Sequence, residues 1–301
     1  MPATLINADE VAAVVRAALR TELAALPEPL RLLGLISGDH GPAHTYAHYT
    51  SKACEALGVE FAIRSVARLD MEAAVHAGNA DPAVHGIMIY YPVFGTQQDT
   101  YLRDLIAPEK DIEGLHSYWA RCLYDNRRFY GPANDKKCIL PCTPLAILKL
   151  LEQAGLFGTN TRRPLEGRRA CIFNRSEVVG RPLAAMLAND GAEVVSFDID
   201  GAQLFLPGTL EQGHHVAETT IDRKQALAAA DIVIGGVPTR AFERIRASEV
   251  KSGSVCLNFS TIANFQADIV EKDVTFIPRV GPMTITMALR NALRLYRDSR
   301  A

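Results

Sequence analysis

The sequence predicts an α/β protein of two domains, and three observations lead to this fold class. Apolar, strand-like runs alternate with helical patterns along the chain, an order that produces parallel sheets with right-handed crossovers. The chain has 301 residues, of which 48% are hydrophobic and 22% charged, so two domains of ordinary size can each bury a core. A polar segment with proline and glycine, GTNTRRPLEG at 158–167, marks a boundary between them.

The first half opens with an amphipathic helix. Charged residues interrupt its apolar positions, so we do not expect a signal peptide there. The elements predicted after it are a buried strand (30–37), a helix (44–58), a strand (59–67), a helix (70–78) and a strand (85–93). Residues 107–137 form a loop-rich stretch that is too long for a plain connector, and we expect it to be functional.

A clear helix at 142–156 precedes the second half. Thr143 is its predicted N-cap, and Pro144 lies in its first turn. Beyond it, the stretch 171–200 has the pattern of strand, tight turn, helix and strand, and QALAAADIVIGGVP and GSVCLNFS add a helix and two strands. A helix at 282–298 is the last predicted element.

Composition and charge argue against several classes of partner. The 32 Lys and Arg residues nearly balance 34 Asp and Glu residues without a block of like charge, so neither nucleic acid nor an anionic membrane is expected. No apolar run is long enough to cross a bilayer. The six cysteines are scattered, and Cys138 and Cys142 have poor spacing for zinc, so reduced thiols in a cytoplasmic protein are expected. His44 and His48 have no evident third ligand, so no metal site is expected.

The stretch 171–200 raises the question of a nucleotide. A strand that ends at Phe173 and a helix that opens near Val179 present free backbone N–H groups and a positive dipole end, and both favour a phosphate. Gly180 allows a close approach to the backbone. In place of a glycine-rich G-x-G-x-x-G, the turn has Asn174, Arg175 and Ser176. The arginine and the serine supply a charge and a hydroxyl donor, but this signal alone is weak.

The next strand favours NAD. It ends at Asp198, 18 residues after Gly180, close to the spacing of about 20 residues at which an acid holds a ribose diol. A carboxylate there accepts hydrogen bonds from both free hydroxyls and repels a 2′-phosphate, and Glu177 adds negative charge. The alternative is that Asp198 and Asp200 only end a strand and start a turn. Taken with ADIVIGGVP, the pattern favours NAD over NADP and over no cofactor.

Six motifs in this order resemble those of the methylene-tetrahydrofolate dehydrogenase family. They are YYPVFG, PEKDIEGL, LPCTPLAI, NRSEVVGRPLAAMLANDGA, ADIVIGGVP and GPMTITMALRN, and the match extends from residue 30 to residue 298. Within the family, the chain is most similar to the monofunctional NAD-dependent branch known from yeast. The resemblance implies a parallel α/β folate domain (1–156 with 283–301), a Rossmann-like doubly wound NAD domain (157–282), a cleft between them, and a homodimer formed through the NAD domain.

The resemblance also implies the binding residues. Tyr46 is expected to pack on the aminobenzoyl ring of the folate. The other folate-binding residues implied are Tyr90, Tyr91, Pro92, Gly281, Pro282 and Thr284. The cofactor-binding residues implied are Asn174, Arg175, Ser176, Val179, Gly180, Asp198, Gly236, Val237, Pro238 and Asn258.

Three departures from the family pattern bear on the activity. Bifunctional members carry a lysine where this chain has Thr50, a glutamine where it has Tyr90, and a second aspartate where it has Glu113 after Asp111. Removing a hydride from the methylene carbon needs alignment rather than proton transfer, because two nitrogens stabilise the cation. Hydrolysis of the methenyl product needs acid–base groups such as the missing lysine.

We therefore expect an NAD-dependent dehydrogenase whose cyclohydrolase activity is absent or weak. Tyr46, Thr50, Asp111 and Glu113 occupy the catalytic positions, and either carboxylate stabilises the cationic product. Three alternatives stay open: a bifunctional dehydrogenase and cyclohydrolase, a dehydrogenase for another one-carbon pterin carrier, and a protein that binds folate or NAD without turnover.

Overall fold

The computed structural model describes residues 1–38, 41–209 and 212–300, and the chain divides into two compact units. The three-stranded unit, named for its main sheet, comprises Ala12–Arg121, Phe129–Cys142 and Ile285–Ala301. The eight-stranded unit comprises Met1–Val11, Cys122–Arg128 and Thr143–Thr284. Compared with the expected bounds of 1–156 with 283–301 and 157–282, most of the helix after Cys142 groups with the eight-stranded unit.

Helices and strands alternate as the apolar patterns predict. The described strands are β1 (Thr4–Leu5), β2 (Arg31–Ile36), β3 (Glu60–Ser65), β4 (Gly86–Ile89), β5 (Phe129–Tyr130), β6 (Lys136–Lys137), β7 (Arg169–Phe173), β8 (Glu193–Asp198), β9 (Gly201–Leu206), β10 (His215–Glu218), β11 (Ile232–Gly235), β12 (Val255–Asn258) and β13 (Thr275–Ile277). The described α-helices are α1 (Ala8–Ala24), α2 (Pro42–Ala56), α3 (Met71–Ala80), α4 (Gln98–Leu105), α5 (Ser117–Tyr124), α6 (Cys142–Gln153), α7 (Gly180–Asn189), α8 (Arg223–Ala229) and α9 (Gly281–Asp298).

The main sheet of the three-stranded unit is parallel, with β2 between β3 and β4. The apolar run of β2 is buried because it is the central strand, whereas β3 is an exposed edge. Leu33 and Leu35 of β2 share one apolar cluster with Ile87 of β4 and with Met71 and Val75 of α3. This core fixes the end of β4, which two tyrosines of the candidate site, Tyr90 and Tyr91, follow directly.

The eight-stranded unit has the strand order β1-β13-β12-β11-β7-β8-β9-β10. In this spatial order, the first six strands, from β1 to β8, are parallel to one another. Strands β9 and β10 add two antiparallel strands at the β8 end. From β7 the chain proceeds to β8 on one side, whereas β11, β12 and β13 lie on the other. Right-handed crossovers in both directions give a doubly wound sheet. The expected α/β fold class is confirmed, and the antiparallel strands make the sheet mixed.

One local prediction was wrong, and one stretch is more ordered than its sequence indicates. Residues 107–137 keep several loops but also contain a 3-10 turn (Pro108–Lys110), α5 and the β5–β6 hairpin. Trp119 is 1% exposed, packs edge-on against Tyr130 at 5.0 Å, and donates its indole N–H to the Pro108 carbonyl at 3.1 Å. Helix α6 begins at Cys142, so Thr143 lies inside the helix and is not its N-cap.

Membrane-spanning helices and metal-binding groups can be searched for in the described residues. Within residues 1–38, 41–209 and 212–300, no helix is both long and apolar enough to span a membrane. In those ranges, His, Cys, Asp and Glu side chains also form no group of three or more that could hold a metal ion.

Candidate functional site

Helix α2, the segment after β4 and the loop after the 3-10 turn (Pro108–Lys110) bring together a tyrosine–carboxylate cluster, consisting of Tyr46, Thr50, Tyr90, Tyr91 and Glu113. The rings of Tyr46 and Tyr90 meet edge-to-face with centroids 5.9 Å apart. Thr50, one helical turn after Tyr46, donates its hydroxyl to the Tyr46 carbonyl at 2.9 Å. Burial, and then the charge of Glu113, raise the pKa of Tyr46. Three of the predicted catalytic positions therefore share one buried environment in the three-stranded unit.

Two phenol groups of this cluster lack a protein partner. Among the described residues, the hydroxyl oxygens of Tyr90 and Tyr91 are buried and make no hydrogen bond of ordinary geometry, although the Thr50 side chain lies close enough to that of Tyr90 to act to lower its pKa. Burial raises the pKa of both phenols, so both stay protonated and can donate. Tyr91 precedes Pro92 through a cis peptide bond, and the Arg103 guanidinium lies 5.8 Å from the Tyr91 ring centre. Because buried polar groups normally find partners, these hydroxyls point to a ligand.

Glu113 is an acid in a weakly solvated place. Burial, followed by the charge of Asp111, raises its pKa to about 8. One carboxyl oxygen accepts the Ile89 N–H, at the end of β4, at 3.3 Å. At neutral pH the group is therefore mostly protonated and can both donate and accept a hydrogen bond.

The neighbouring Asp111 has a different environment. It is 1% exposed, and its carboxylate accepts the backbone N–H groups of Glu113 (3.1 Å), Gly114 (3.0 Å) and His116 (2.8 Å). Burial raises the pKa of Asp111, while these N–H groups act to lower it. Since its oxygens hold the loop, Asp111 supports the position of Glu113, and Glu113 is the carboxyl group of the cluster itself.

Two residues to which the sequence assigns no such role, Cys142 and Asn291, fix this loop. The Cys142 thiol donates to the Ile112 carbonyl at 3.2 Å, and the Cys142 N–H donates to the Glu113 carbonyl at 3.1 Å. Asn291 of α9 donates its amide to the carbonyls of Ile112 and Leu140, both at 3.0 Å. A polar residue on an otherwise apolar helix face was the available signal for Asn291.

The predicted cofactor residues lie along one edge of the eight-stranded sheet. Strands β7, β8, β11 and β12 are parallel, so the ends at Phe173, Asp198, Gly235 and Asn258 share that edge. The Asn174 amide donates to the Gly236 carbonyl at 3.0 Å and links the ends of β7 and β11. This is the point at which the strand order reverses, where open α/β sheets bind their ligands.

The turn between β7 and α7 is closed by its own side chains. The Ser176 hydroxyl donates to the Asn174 side-chain oxygen at 2.8 Å and accepts the Val179 N–H at 3.3 Å. A Cβ on Gly180 would lie 2.1 Å from the Asn174 carbonyl oxygen, so the turn requires glycine there. The serine donor predicted for a phosphate therefore already has a partner inside the turn.

Asp198 and Arg175 are joined at the carboxyl end of β8. The Asp198 carboxylate is exposed, accepts the Arg175 N–H at 2.5 Å, and accepts the N–H of the following residue at 2.7 Å. The Arg175 guanidinium is turned the other way and forms an ion pair with Asp200. Its charge, expected to face a phosphate, is thus taken up within the protein.

An asparagine that sequence analysis missed organises the ends of β11 and β12. Asn264, which is fully buried, accepts the Val237 N–H at 2.7 Å and donates to the Val237 carbonyl at 3.0 Å. Its own N–H donates to the Asn258 side chain at 3.1 Å. Gly236 is buried and Pro238 is exposed. The ADIVIGGVP motif is therefore held in place by a residue outside it.

The remaining predicted folate residues open helix α9. Gly281 is exposed with free space around its Cα, Pro282 is half-buried, and Thr284 is 8% exposed. The Thr284 hydroxyl contacts that of Thr143 at 3.4 Å. All these residues belong to the eight-stranded unit, and their contact with folate stays a prediction.

Comparisons with known proteins match both halves of the chain to one family. The family model described as "Tetrahydrofolate dehydrogenase/cyclohydrolase, catalytic domain" matches residues 6–113, and the model for the NAD(P)-binding domain of the same family matches residues 141–206. Methylenetetrahydrofolate dehydrogenase (NAD+) of Schizosaccharomyces pombe is 42% identical over 88% of this chain and 84% of its own length. The protein of the same name from Dictyostelium discoideum is 40% identical over 89% and 86%.

A solved structure gives the same result. The NAD-dependent 5,10-methylenetetrahydrofolate dehydrogenase of Saccharomyces cerevisiae is similar with a TM-score of 0.93 and 36% identity, over 100% of this chain and 99% of that one. At these identities and coverages, the likeness extends beyond the fold. The chain belongs to the methylenetetrahydrofolate dehydrogenase family.

Proposed function

We propose that the protein oxidises methylene-tetrahydrofolate to methenyl-tetrahydrofolate by transferring a hydride to NAD. The observation that carries this proposal is the combination of two features on one chain. The tyrosine–carboxylate cluster presents buried hydroxyls without protein partners, and an exposed Asp198 ends β8 beside the reversal point of a doubly wound sheet. The names of the relatives support the same activity.

The cofactor is bound at the carboxyl edge of the eight-stranded sheet. Asp198 accepts hydrogen bonds from the two ribose hydroxyls of NAD and disfavours a 2′-phosphate at that place. The helix that starts at Gly180 provides the positive end of its dipole for the pyrophosphate, while the N–H groups of Ser176, Val179 and Gly180 already have partners within the turn. Gly236, Val237, Pro238 and Asn258 contribute the adjoining edge.

The folate is bound by the tyrosine–carboxylate cluster. Its pterin ring offers alternating donors and acceptors, which match the Tyr90 and Tyr91 hydroxyls and the protonated Glu113 carboxyl. Tyr46 supplies an aromatic surface for the aminobenzoyl ring. Binding would satisfy buried groups that lack partners in the described protein, which favours a polar heterocycle over an apolar ligand.

The chemical step needs alignment and no base. The C–H bond of the methylene carbon breaks, both electrons leave with the hydride to the nicotinamide ring, and a nitrogen lone pair forms the C=N bond of the cation. No proton is lost, so a cluster of neutral phenols suffices to hold the reacting carbon. Above about pH 8, the ionised Glu113 would also stabilise the positive charge of the product.

We infer that cyclohydrolase activity is absent or weak. Thr50 is 3% exposed, carries no basic group, and donates its hydroxyl to the backbone. Tyr90, whose hydroxyl lies beside Thr50, is also buried and carries no basic group. Lys110 of the adjacent loop donates instead to three carbonyls at the end of α3, at 2.7–3.0 Å. These residues offer no group to activate water against the methenyl carbon.

We extend the proposal to a cytoplasmic homodimer formed through the eight-stranded unit. Strand β10 is the last strand of its sheet, and all four of its residues are exposed, so its edge is open to a second copy. All six cysteines are buried and none forms a disulfide, which fits a reducing compartment. Light scattering after size-exclusion chromatography measures the mass in solution, and a monomer would contradict the dimer.

One assay tests the activity. The purified protein is mixed with methylene-tetrahydrofolate and either NAD or NADP, and formation of reduced cofactor and of the methenyl product is followed. Decay of added methenyl-tetrahydrofolate is measured in parallel. We expect turnover with NAD and little decay. Turnover with NADP alone would refute the cofactor assignment, and rapid decay would favour the bifunctional enzyme. Thermal stabilisation by both ligands without turnover would indicate a binding protein.

A further inference from the structure

The turn between β8 and β9 holds the guanidinium of Arg175 on its buried side. The guanidinium donates to the carbonyl of Ser196 at 2.8 Å and to that of Gly201 at 3.2 and 3.3 Å, and it pairs with the Asp200 carboxylate. The Arg175 side chain is 5% exposed, whereas that of Asp200 is 67% exposed. Since the Arg175 N–H also binds Asp198, one residue is bonded to both ends of the turn.

These contacts bear on the choice between NAD and NADP. In dinucleotide-binding domains, an acid at the end of the second strand holds the ribose diol, whereas an arginine nearby accommodates a 2′-phosphate. This chain carries both residue types at that place. A free guanidinium would form charge-assisted, bidentate hydrogen bonds with a phosphate and so oppose the effect of Asp198. The structure instead shows the guanidinium occupied by a second carboxylate and two carbonyls.

We propose that Asp200 is a specificity-determining residue for NAD because it withholds Arg175 from a 2′-phosphate. The proposal rests on the ribose contact proposed above for Asp198. Asp198 repels the phosphate directly, while Asp200 removes a cation that would attract it. Asp198 and Asp200 thus both favour NAD over NADP, the first by repulsion of the 2′-phosphate and the second through its ion pair with Arg175.

The first test is Asp200→Asn, which removes the charge at an exposed position and keeps the size of the side chain. The ratio of kcat/KM for NADP to that for NAD is expected to rise about tenfold or more, the effect of one charge-assisted hydrogen bond to phosphate. The matched control is Glu193→Gln at the other end of β8, where an exposed carboxylate pairs with Arg169 at 3.8 Å. This control should leave the ratio unchanged.

Repeating the Asp200 substitution in a variant without Arg175 distinguishes two explanations. In one, Asp200 holds the Arg175 guanidinium away from the phosphate; in the other, Asp200 simply repels the phosphate. With Arg175→Gln already in place, Asp200→Asn should have little further effect on the ratio. An equal rise in both backgrounds would overturn the proposal, because repulsion by Asp200 needs no arginine. A parallel fall of kcat/KM for both cofactors, with the ratio unchanged, would also overturn it, because Asp200 would then only hold the turn.

A binding measurement keeps the test decisive if Arg175→Gln does not fold. Calorimetry compares adenosine 2′,5′-bisphosphate with 5′-AMP on the unmodified protein and on Asp200→Asn. The preference for the bisphosphate should rise about tenfold or more in the variant, and an unchanged preference would refute the proposal. These fragments need neither folate nor hydride transfer, so this readout stands even where the proposed dehydrogenase activity fails.

Discussion

Replacing Glu113 with glutamine is expected to change the pH dependence of folding stability. The carboxyl pKa rises from an ordinary value of 4.5 to about 8 in the folded protein, chiefly through burial. Between these values the folded state holds a proton that the unfolded state has lost, so the contribution of this group to stability falls as pH rises. Glutamine has nearly the same shape as the protonated acid but does not titrate, so it removes this pH dependence.

The magnitude follows from the size of the pKa shift. At about 1.4 kcal/mol per pKa unit, the contribution of Glu113 falls by about 4 kcal/mol between pH 5 and pH 9, including about 1.4 kcal/mol between pH 7 and pH 9. Burial lowers the pKa of His85 and His214, so the unfolded state binds protons on these histidines more readily than the folded state. Their contribution to stability therefore falls as the pH falls, opposite to that of Glu113. Both proteins share these histidines, so the difference between variant and unmodified protein isolates Glu113.

Urea unfolding at several pH values measures that difference. The variant should gain stability relative to the unmodified protein steadily from pH 5 and level off above pH 8. Glu109→Gln, which removes an exposed carboxylate from the same loop, should follow the profile of the unmodified protein. A difference between Glu113→Gln and the unmodified protein that stays flat from pH 5 to pH 9 would show that Glu113 is not a buried acid.

Three further predictions follow from contacts described above. Gly180→Ala should destabilise the protein by about 1–3 kcal/mol and raise the KM for NAD, because its Cβ would lie 2.1 Å from the Asn174 carbonyl oxygen; urea unfolding and initial rates measure the two effects. Asn291→Leu should cost about 1–3 kcal/mol, because the Leu140 carbonyl loses the Asn291 amide and the Ile112 carbonyl keeps only the Cys142 thiol, and urea unfolding measures the loss. Thr50→Lys combined with Tyr90→Gln should accelerate decay of methenyl-tetrahydrofolate at least tenfold, since a basic group worth about 1.4 kcal/mol in the transition state suffices for that.

Each of these has a control and a contrary outcome. Gly281→Ala places its Cβ in open space and should leave stability nearly unchanged, so an equal loss at both glycines would contradict the steric argument. Arg297→Gln, on the same helix as Asn291, breaks a surface ion pair with Glu22 and should cost less than about 1 kcal/mol. A similar loss of stability in both variants would show that the buried hydrogen bonds of Asn291 contribute no more than a surface ion pair. Tyr90→Gln alone should not hydrolyse methenyl-tetrahydrofolate, and unaltered decay in the folded double variant would show that other groups are missing.

The edge on which the cofactor residues lie could be predicted because it depends on local patterns. Each parallel strand has an apolar run with a recognisable end, and parallel strands place those ends together. Asp198 was therefore proposed from its spacing to Gly180, whereas Gly236, Val237, Pro238 and Asn258 were proposed from the resemblance to the family. The tyrosines after β4 were located in the same way, although their unpartnered hydroxyls depend on how α2 packs.

The contacts that could not be predicted join segments far apart in the chain. Nothing local in the sequence indicates that Asn291 holds carbonyls near residues 112 and 140, or that Asn264 organises the ends of β11 and β12. The direction of the Arg175 side chain depends on the geometry of a tight turn more than twenty residues later. The ordered part of 107–137 likewise depends on the packing of Trp119 against Tyr130 in the β5–β6 hairpin. The sequence of that hairpin has only a weak strand pattern.

The short strand β1 has a consequence for how the eight-stranded unit can be assembled. Thr4 and Leu5 pair with Thr275 and Phe276 of β13. This edge of the sheet is therefore complete only when β1, near the start of the chain, and β13, near its end, are both present. Closing so long an intervening loop is slow compared with forming hairpins or helices, because the ends must find each other by diffusion. A fragment beginning at residue 143 would leave the backbone groups of β13 uncovered and prone to stick to other chains. Shortening the protein near residue 5 should therefore impair the nucleotide-binding sheet rather than the helix that follows it in the chain.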